Sequence, residues 1–335
     1  MKPFLLSLAF LLSSLSFAQL RYKGEVELAT NPTIISANET TTGTFGFSLR
    51  AHLEVDYELE PLDFRLVLDP AVNLVDSNPE NALVQTGLTE SFVRYDIDNI
   101  ELSAGIERLP LETARLSAPF RLEPIGTLGQ PLGLLGARAT LFTNDWRIRP
   151  ALVYRFQDEQ LGAVLSVRRE FDSFDLEAHV LYLDGFAAGL GGSGLVGDVV
   201  VYAEAWLLSE PWDVRGALGA SGYLGDLLWT AEAAYAADPL DTDLELEGEF
   251  SNTSNAYPQL LGQLSLPQGD TGSFDVNASL GLLNSALRDT QTLQALGSFG
   301  YTYLEDDYQL TLAPTFSHTE LATLYGLQLG VVAFF

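Results

Sequence analysis

Charged side chains that could attract or guide ions recur at every second position in several segments of this 335-residue chain. A guanidinium group binds carboxylates and phosphates through paired hydrogen bonds, and a carboxylate attracts cations. Where such side chains line one passage, their arrangement sets which ions enter it. The basic members of this set are Arg50, Arg65, Arg94, Arg138, Arg147, Arg149, Arg155, Arg168 and Arg215.

Carboxylates share the register of these arginines, but the two halves of the chain differ. Glu54, Asp56, Glu58, Asp63, Glu90, Asp96, Glu101 and Glu107 accompany the arginines of the first half. The second half contributes Glu204, Glu232, Glu245, Glu247, Glu249 and Asp275, and only one of the 17 basic residues, Arg288, lies beyond Arg215. If the two halves form two sides of one lumen, their difference in charge produces an electric field directed from one side of the lumen to the other.

The same residues give little support to catalysis or to metal binding. The three histidines are His52, His179 and His318, and no nucleophile motif accompanies any of them. The acidic clusters Asp238–Asp243 and Glu305–Asp307 lack the glycine and terminal glutamate of a calcium loop. We therefore expect no enzyme activity, no metal and no cofactor.

Composition excludes further classes of protein. The formal net charge of −28 argues against nucleic-acid partners and against docking on an anionic lipid surface. With no cysteine, the chain has neither disulfides nor thiolate metal sites. A hydrophobic content of 47% separates it from disordered acidic tails.

Residues 1–18 have the features of a secretory signal peptide. Lys2 precedes an apolar stretch from Phe4 to Leu15, and Ser16-Phe17-Ala18 is a small-x-small cleavage site. The apolar stretch is shorter than the roughly 20 residues that span a bilayer. We therefore expect cleavage after Ala18 and a single domain over residues 19–335.

Alternation of apolar and polar residues predicts that β-strands position the charged side chains. In Thr44–Leu59, apolar residues from Phe45 to Leu59 alternate with polar ones, and no helical stripe of comparable length competes. The pattern predicts eighteen strands, over 21–29, 44–59, 62–74, 88–97, 100–108, 135–142, 146–156, 161–169, 174–183, 196–208, 212–224, 227–237, 243–250, 259–266, 273–282, 292–303, 308–317 and 324–335.

The connections between these strands alternate in length. Short turns are predicted around Glu60-Pro61, Asp98-Asn99, Thr143–Asp145, Glu170–Ser173, Ser209–Pro211, Asp238–Thr242, Pro267–Gly272 and Leu304–Asp307. The intervening connections include the long loops 30–43, 75–87, 109–134 and 184–195. Short turns on one rim and longer loops on the other, with an even strand count, are typical of transmembrane β-barrels.

The apolar register supports the same architecture. A charged side chain facing lipid at the bilayer midplane costs about 2–4 kcal/mol. In each strand core, one of the two sets of alternate positions contains no Asp, Glu, Lys or Arg, and this set can face the lipid. Aromatic residues such as Trp146, Tyr182 and Trp212 lie at strand ends on that register, as interfacial girdles do. The alternation continues to the last residue through Tyr325, Leu327, Leu329, Val331 and Phe335.

This ending resembles the closing strand of bacterial outer-membrane β-barrels, in which a terminal Phe after alternating apolar residues is an assembly signal. The resemblance implies an all-β fold, a transmembrane antiparallel up-and-down barrel of about eighteen strands, in the cell outer membrane. Sixteen strands is the alternative, because the even count depends on the acidic segment 243–250. The implied partners are outer-membrane lipid and the barrel assembly machinery. In an even-stranded barrel the strand Tyr325–Phe335 must return beside residues 21–29. The sequence does not decide whether the protein forms a homotrimer, since a subunit interface and a lipid-facing wall are both apolar.

The longest loop, 109–134, is rich in proline and in apolar residues, so it is not expected to extend freely into water. General porins fold a comparable loop into the lumen, and that resemblance implies a constriction lined by Glu112, Arg115, Arg121 and Glu123. The function expected is porin-like passive diffusion of small hydrophilic solutes or ions, with a preference for cations. The alternatives are a loop-plugged structural or adhesive barrel and a soluble secreted β-protein.

Overall fold

The computed structural model describes residues 20–37, 40–75, 82–85, 87–109, 111, 114–117, 132–156, 159–183, 185–209, 212–236, 258–269, 271–285, 290–305, 307–319 and 322–334. Twenty strand segments lie in these ranges: β1 (Leu20–Ala37), β2 (Thr40–Leu59), β3 (Leu62–Leu68), β4 (Ala71–Val75), β5 (Ala82–Gln85), β6 (Leu88–Ile97), β7 (Ile100–Glu107), β8 (Leu134–Thr143), β9 (Trp146–Arg155), β10 (Gln160–Glu170), β11 (Phe174–Tyr182), β12 (Phe186–Val196), β13 (Val199–Ser209), β14 (Trp212–Leu224), β15 (Leu227–Ala236), β16 (Gln259–Gln268), β17 (Gly272–Ser285), β18 (Thr290–Glu305), β19 (Tyr308–Thr319) and β20 (Thr323–Phe334).

The segments form one closed antiparallel barrel of eighteen strands, which confirms the predicted fold class and strand count. The count is eighteen because β3 and β4 are one strand interrupted at Asp69-Pro70, and β5 and β6 are one strand interrupted near Gly87. Strands adjacent in sequence pair with each other around the barrel, and β20 pairs with β1. The predicted return of the last strand beside the first is therefore confirmed.

Alternate side chains of each strand face opposite sides of the wall. In β9, Trp146 and Leu152 are exposed on the outside, whereas Ala151 and Val153 are buried on the inside. Arg147 and Arg149 share the inward register with Val153, as the alternation predicts. On β20, Tyr325, Leu329 and Val331 are outward and exposed, in agreement with the predicted apolar face.

Tight turns close one rim of the barrel. Two-residue turns with a positive φ at the first position join several strand pairs, at Asp98-Asn99, Asn144-Asp145, Gly197-Asp198 and Gly225-Asp226. Residues that tolerate positive φ suit such turns, because the turn then matches the twist of its two strands. The turns at 98–99, 144–145, 171–173 and 269–271 lie where the sequence predicted them.

The prediction of a loop over 184–195 is wrong, because Phe186–Val196 is strand β12. Its glycines weaken the strand signal, yet atoms of the neighbouring strands lie too close to leave room for a Cβ there. A Cβ on Gly189 would lie 2.7 Å from the Trp206 ring, and one on Gly192 would lie 2.6 Å from the Asp175 carbonyl oxygen. The sequence predicted a short turn at Ser209–Pro211, on the rim of the tight turns. Because β12 adds a strand before it, the connection between β13 and β14 lies on the opposite rim.

The prediction of a loop over 30–43 is also wrong. β1 and β2 stay paired from Leu20 and Tyr57 to Ala37 and Thr40. The threonine-rich stretch from Thr40 to Thr44 favours this, since β-branched residues suit strands. Both strands exceed the roughly 9–11 residues that cross a bilayer, so this hairpin is longer than a membrane span requires.

The predicted strand 243–250 lies outside the described residues, as do the turn at 238–242 and Phe335. The strands that flank the range 237–258, β15 and β16, pair directly with each other from Leu228 and Ser265 to Ala234 and Gln259. The eighteen strands of the wall are thus complete without 243–250, and β12 takes the place that the prediction gave to it. Among the described residues, no helix is long and apolar enough to cross a membrane.

Candidate lumen site

The inward arginines of the first strands are held in networks with carboxylates. Arg65 of β3 contacts Glu54 of β2 at 2.7 Å and Glu90 of β6 at 2.8 Å, and Lys23 contacts the same Glu54 at 2.5 Å. Glu54 is buried, and a buried carboxylate is costly unless it is paired. Here two cations from adjacent strands balance its charge. Lys23, which the sequence analysis did not single out, is therefore part of the inner wall.

A second network continues along the wall. Arg94 of β6 contacts Asp63 at 2.8 Å, and Arg138 of β8 contacts Glu101 at 3.1 Å and Glu107 at 3.2 Å. Arg94, Asp63, Arg138 and Glu107, with Arg21, Glu58 and Arg108, line a cavity in the inner wall. Positive and negative groups lie together along this side of the wall.

Five further candidate arginines of the wall also face inward. Arg147 contacts Glu170 at 3.3 Å, Arg149 contacts Glu177, and Arg168 contacts Asp175. Arg155 donates to Gln160 at 2.9 Å, and Arg50 lies opposite Glu27 in the β1–β2 register. Pairing of these arginines with acceptors on neighbouring strands makes the wall a charged lattice rather than a row of bare cations.

Part of the connection that follows β7 is described, and it lies inside the barrel. We call its described part, Leu109, Leu111 and residues 114–117, the inner segment. Four consecutive backbone N–H groups of this segment donate to two wall carboxylates. Ala114 donates to Glu204 of β13 at 2.9 Å, and Arg115, Leu116 and Ser117 donate to Glu232 of β15 at 2.9, 3.1 and 2.7 Å.

Glu232 is the central anchor of this contact. Besides the three backbone groups, the hydroxyl of Tyr202 on β13 donates to its Oε2 at 2.9 Å, and Glu232 is only 3% exposed. A carboxylate that accepts several N–H and O–H bonds is satisfied without a cation. The inner segment therefore supplies hydrogen-bond donors to carboxylates in the half of the chain that has almost no basic residues.

Apolar side chains fix the inner segment on both sides of the anchor. Leu109 and Leu111 belong to a buried cluster inside the barrel that includes Trp206, Val153 and Leu181. Ala114 and Leu116 pack against a second cluster, formed by Ala217, Ala234 and Leu261. The segment starts at β7 and docks on β13–β16, so it crosses the interior of the barrel.

Arg115 is the one candidate constriction residue that the structure describes. Its guanidinium lies 5.2 Å from the centre of the Tyr202 ring and donates to the Ser221 hydroxyl of β14. Its side chain is exposed inside the barrel. Glu112, Arg121 and Glu123 lie outside the described residues, as do Glu245, Glu247 and Glu249.

The strand register predicts Glu204 and Glu232 as lining charges, and in the structure they are anchors for the inner segment. A signal for this role was present, because their inward neighbours are Tyr202, Trp206, Ala234 and Ala236 rather than other charges. A carboxylate among apolar inward residues must find hydrogen-bond donors, and the wall itself supplies too few. Only the fold shows which donors those are.

A serine–histidine pair lies on the inner wall, and the sequence analysis did not detect it. His179 Nδ1 is 2.9 Å from Ser166 Oγ, and the imidazole stacks on Trp206 with the ring centres 5.3 Å apart. Both side chains are 2% exposed. A nucleophile needs substrate access and an oriented base, and this pair is enclosed, so its observed role is in packing. Among the described residues, no group of three or more histidine or acidic side chains could hold a metal ion.

No protein-family model matches the sequence, and comparison with curated proteins finds no match. Solved structures of Pseudomonas aeruginosa proteins are similar in fold. OccK5 (OpdH) has a TM-score of 0.60 at 10% identity, with 93% of this chain and 97% of that chain covered. OccK2 (OpdF) has a TM-score of 0.62 at 10% identity over 93% and 97% of the two chains. OccK7 (OpdD) has a TM-score of 0.60 at 12% identity over 94% and 99%.

These proteins are outer-membrane porins. At this level of identity the similarity concerns the arrangement of the chain, and it extends over nearly the whole of both molecules. Together with the closed wall of eighteen strands, it shows that this chain has the fold of bacterial outer-membrane porins.

Proposed function

We propose that the protein is a passive diffusion channel for small hydrophilic solutes or ions in the cell outer membrane, exported with cleavage after Ala18. The observation that carries the proposal is the division of one closed wall into two faces. The outward face is apolar and exposed, with Leu152, Leu190 and Leu218 each at least 59% exposed, whereas the inward face carries the charged networks. A barrel of this size is wide enough to hold water in its lumen.

We further propose that the outward side chains Tyr325, Leu327, Leu329 and Val331, with Phe335, act as the signal for the barrel assembly machinery. The support is the regular outward alternation of β20 and its pairing with both β1 and β19. A closing strand must pair on both edges, since an unpaired edge promotes aggregation. Outer-membrane lipid would cover this face, or the neighbouring subunits of a homotrimer.

The inner segment is the proposed constriction. It fixes Arg115 inside the barrel, beside Tyr202 of the wall. By the same proposal, Glu112, Arg121 and Glu123 would complete the narrow part of the passage. The same docking also favours a second candidate, a barrel plugged by this loop with a structural or adhesive role, because four backbone hydrogen bonds hold the segment across the interior.

Cation preference is the expected selectivity. The chain carries 45 acidic and 17 basic residues, and Arg65, Arg94 and Arg138 of the inner wall are each paired with more than one carboxylate. Reversal potentials of the refolded protein in a planar bilayer, measured under a tenfold KCl gradient, should have the sign of K⁺ selectivity. Reversal at the Cl⁻ side of zero would contradict the preference, and a membrane without current would favour the plugged barrel.

Replacing Arg138 by Gln should strengthen the cation preference. The substitution leaves Glu101 and Glu107 without the guanidinium that contacts both at about 3 Å, and rings of unbalanced carboxylate favour cations. The reversal potential in the same KCl gradient should move further toward the K⁺ value. Glu101→Gln removes charge of the opposite sign at the same contact and should move it the other way. Equal potentials for both variants would show that this network does not face the permeation path.

A further inference from the structure

One arginine faces outward, on the side of the wall that the porin fold presents to lipid. Arg169 of β10 has the same register as the exposed Leu161 and Leu165, and it pairs with Trp146 of β9 and Leu176 of β11. Among the described strands, it is the one arginine or lysine on the outward register. The outward positions beside it on both neighbouring strands are apolar.

Aromatic rings hold the guanidinium in place. Its central carbon lies 4.9 Å from the centre of the Trp146 ring and 4.6 Å from the centre of the Phe171 ring. Phe171 stacks on Phe174 with ring centres 4.3 Å apart, so the cage is itself fixed. A guanidinium between ring faces has its charge partly balanced by the rings, while its N–H edges stay directed away from them.

Those N–H edges lack an acidic partner among the residues that the structure describes. Arg169 makes no ion pair with any carboxylate in the described part of the chain, in contrast to the adjacent Arg168, which contacts Asp175 and Glu170. Its buried Nε also has no hydrogen-bond partner there. A cation on an apolar surface, without a carboxylate partner among the described residues, fits an anion supplied from outside the chain.

The height of Arg169 on the wall limits what that anion can be. It is next to the last residue of β10, at the rim with the tight turns, and short turns lie on the periplasmic side of outer-membrane barrels. At this level a lipid-facing side chain meets the headgroups of the periplasmic leaflet. We propose that Arg169, Trp146 and Phe171 form a binding site for the phosphate of a phospholipid in that leaflet.

Lipid titration of the purified, folded barrel in detergent tests the site, with native mass spectrometry as the readout. Phosphatidylglycerol is the probe, and diacylglycerol, which has the same chains without the phosphate, is the control lipid. The wild-type protein should retain one phosphatidylglycerol and bind diacylglycerol more weakly. Arg169→Gln should weaken phosphatidylglycerol binding roughly tenfold, the loss expected for a charge-assisted contact.

Arg147→Gln is the matched protein control, because Arg147 is adjacent to Trp146 on the same strand but faces inward, and this variant should bind as the wild type does. Arg169→Lys should have intermediate affinity, since it keeps the charge without the planar group. Equal binding of the two lipids by the wild-type protein would overturn the proposal even if Arg169→Gln fails to fold. Competition by inorganic phosphate at the same concentration as the lipid would also overturn it, by indicating a site for free anions.

Discussion

Glu232→Ala is expected to release the inner segment from the wall and to raise the single-channel conductance of the barrel. The substitution removes the acceptor of the Arg115, Leu116 and Ser117 backbone N–H groups and of the Tyr202 hydroxyl. A donor left unpaired in a buried position costs about 1–3 kcal/mol, so docking of the segment should weaken by at least about 3 kcal/mol. That corresponds to a shift of more than about a hundredfold between docked and released states.

Asp275→Asn is the control for the loss of one negative charge from this half of the lumen. Asp275 faces inward on β17 and accepts from Ser273 at 2.9 Å, away from the inner segment. It should change selectivity slightly and leave the conductance near that of the wild type. If Glu232→Ala and Asp275→Asn give the same conductance, the inner segment does not limit ion flow.

Trp206→Ala is expected to cause the largest loss of stability among single substitutions inside the barrel. Trp206 is among the largest fully buried side chains, and it packs with Leu109, Leu111 and the His179 ring. Truncation of a buried tryptophan costs about 3–5 kcal/mol, because the surroundings fill the cavity only in part. The temperature at which the folded band converts to the unfolded band in semi-native gel electrophoresis should fall sharply.

Trp212→Ala provides the comparison, because the same chemical change is made where the ring is 74% exposed on the outward face. There the lost contacts are with lipid or detergent, so the conversion temperature should change little. A Trp206→Ala variant as heat-stable as Trp212→Ala would show that the apolar cluster under the inner segment contributes little to the fold.

The sequence contains most of the information for the wall. In Phe45–Leu59 and Trp146–Arg155 the alternation determines both the strand and the face that each side chain takes, because one misplaced register would put arginines into lipid. The order of strands follows from tight turns such as Asp98-Asn99, whose residues favour the backbone of a hairpin. The closing contact of β20 with β1 follows from the need to pair every edge.

Contacts between residues that are far apart in the sequence could not be predicted from the local pattern of residue types. Gly189 weakens a strand signal, and only the Trp206 ring facing it explains why glycine is suited there. The alternation in 243–250 is a genuine local signal, but the direct pairing of β15 with β16 is decided by tertiary structure. The apolar inward residues near Glu232 indicate that its carboxylate needs donors, but only the fold shows that the inner segment supplies them.

Single-channel recording of the refolded wild-type protein in planar bilayers tests the central claim most directly. An open passage beside the inner segment predicts discrete, ohmic conductance steps that increase with salt concentration and reverse on the K⁺ side in a KCl gradient. Correctly folded, heat-modifiable protein that inserts without any conductance steps would contradict the channel function and support a plugged barrel.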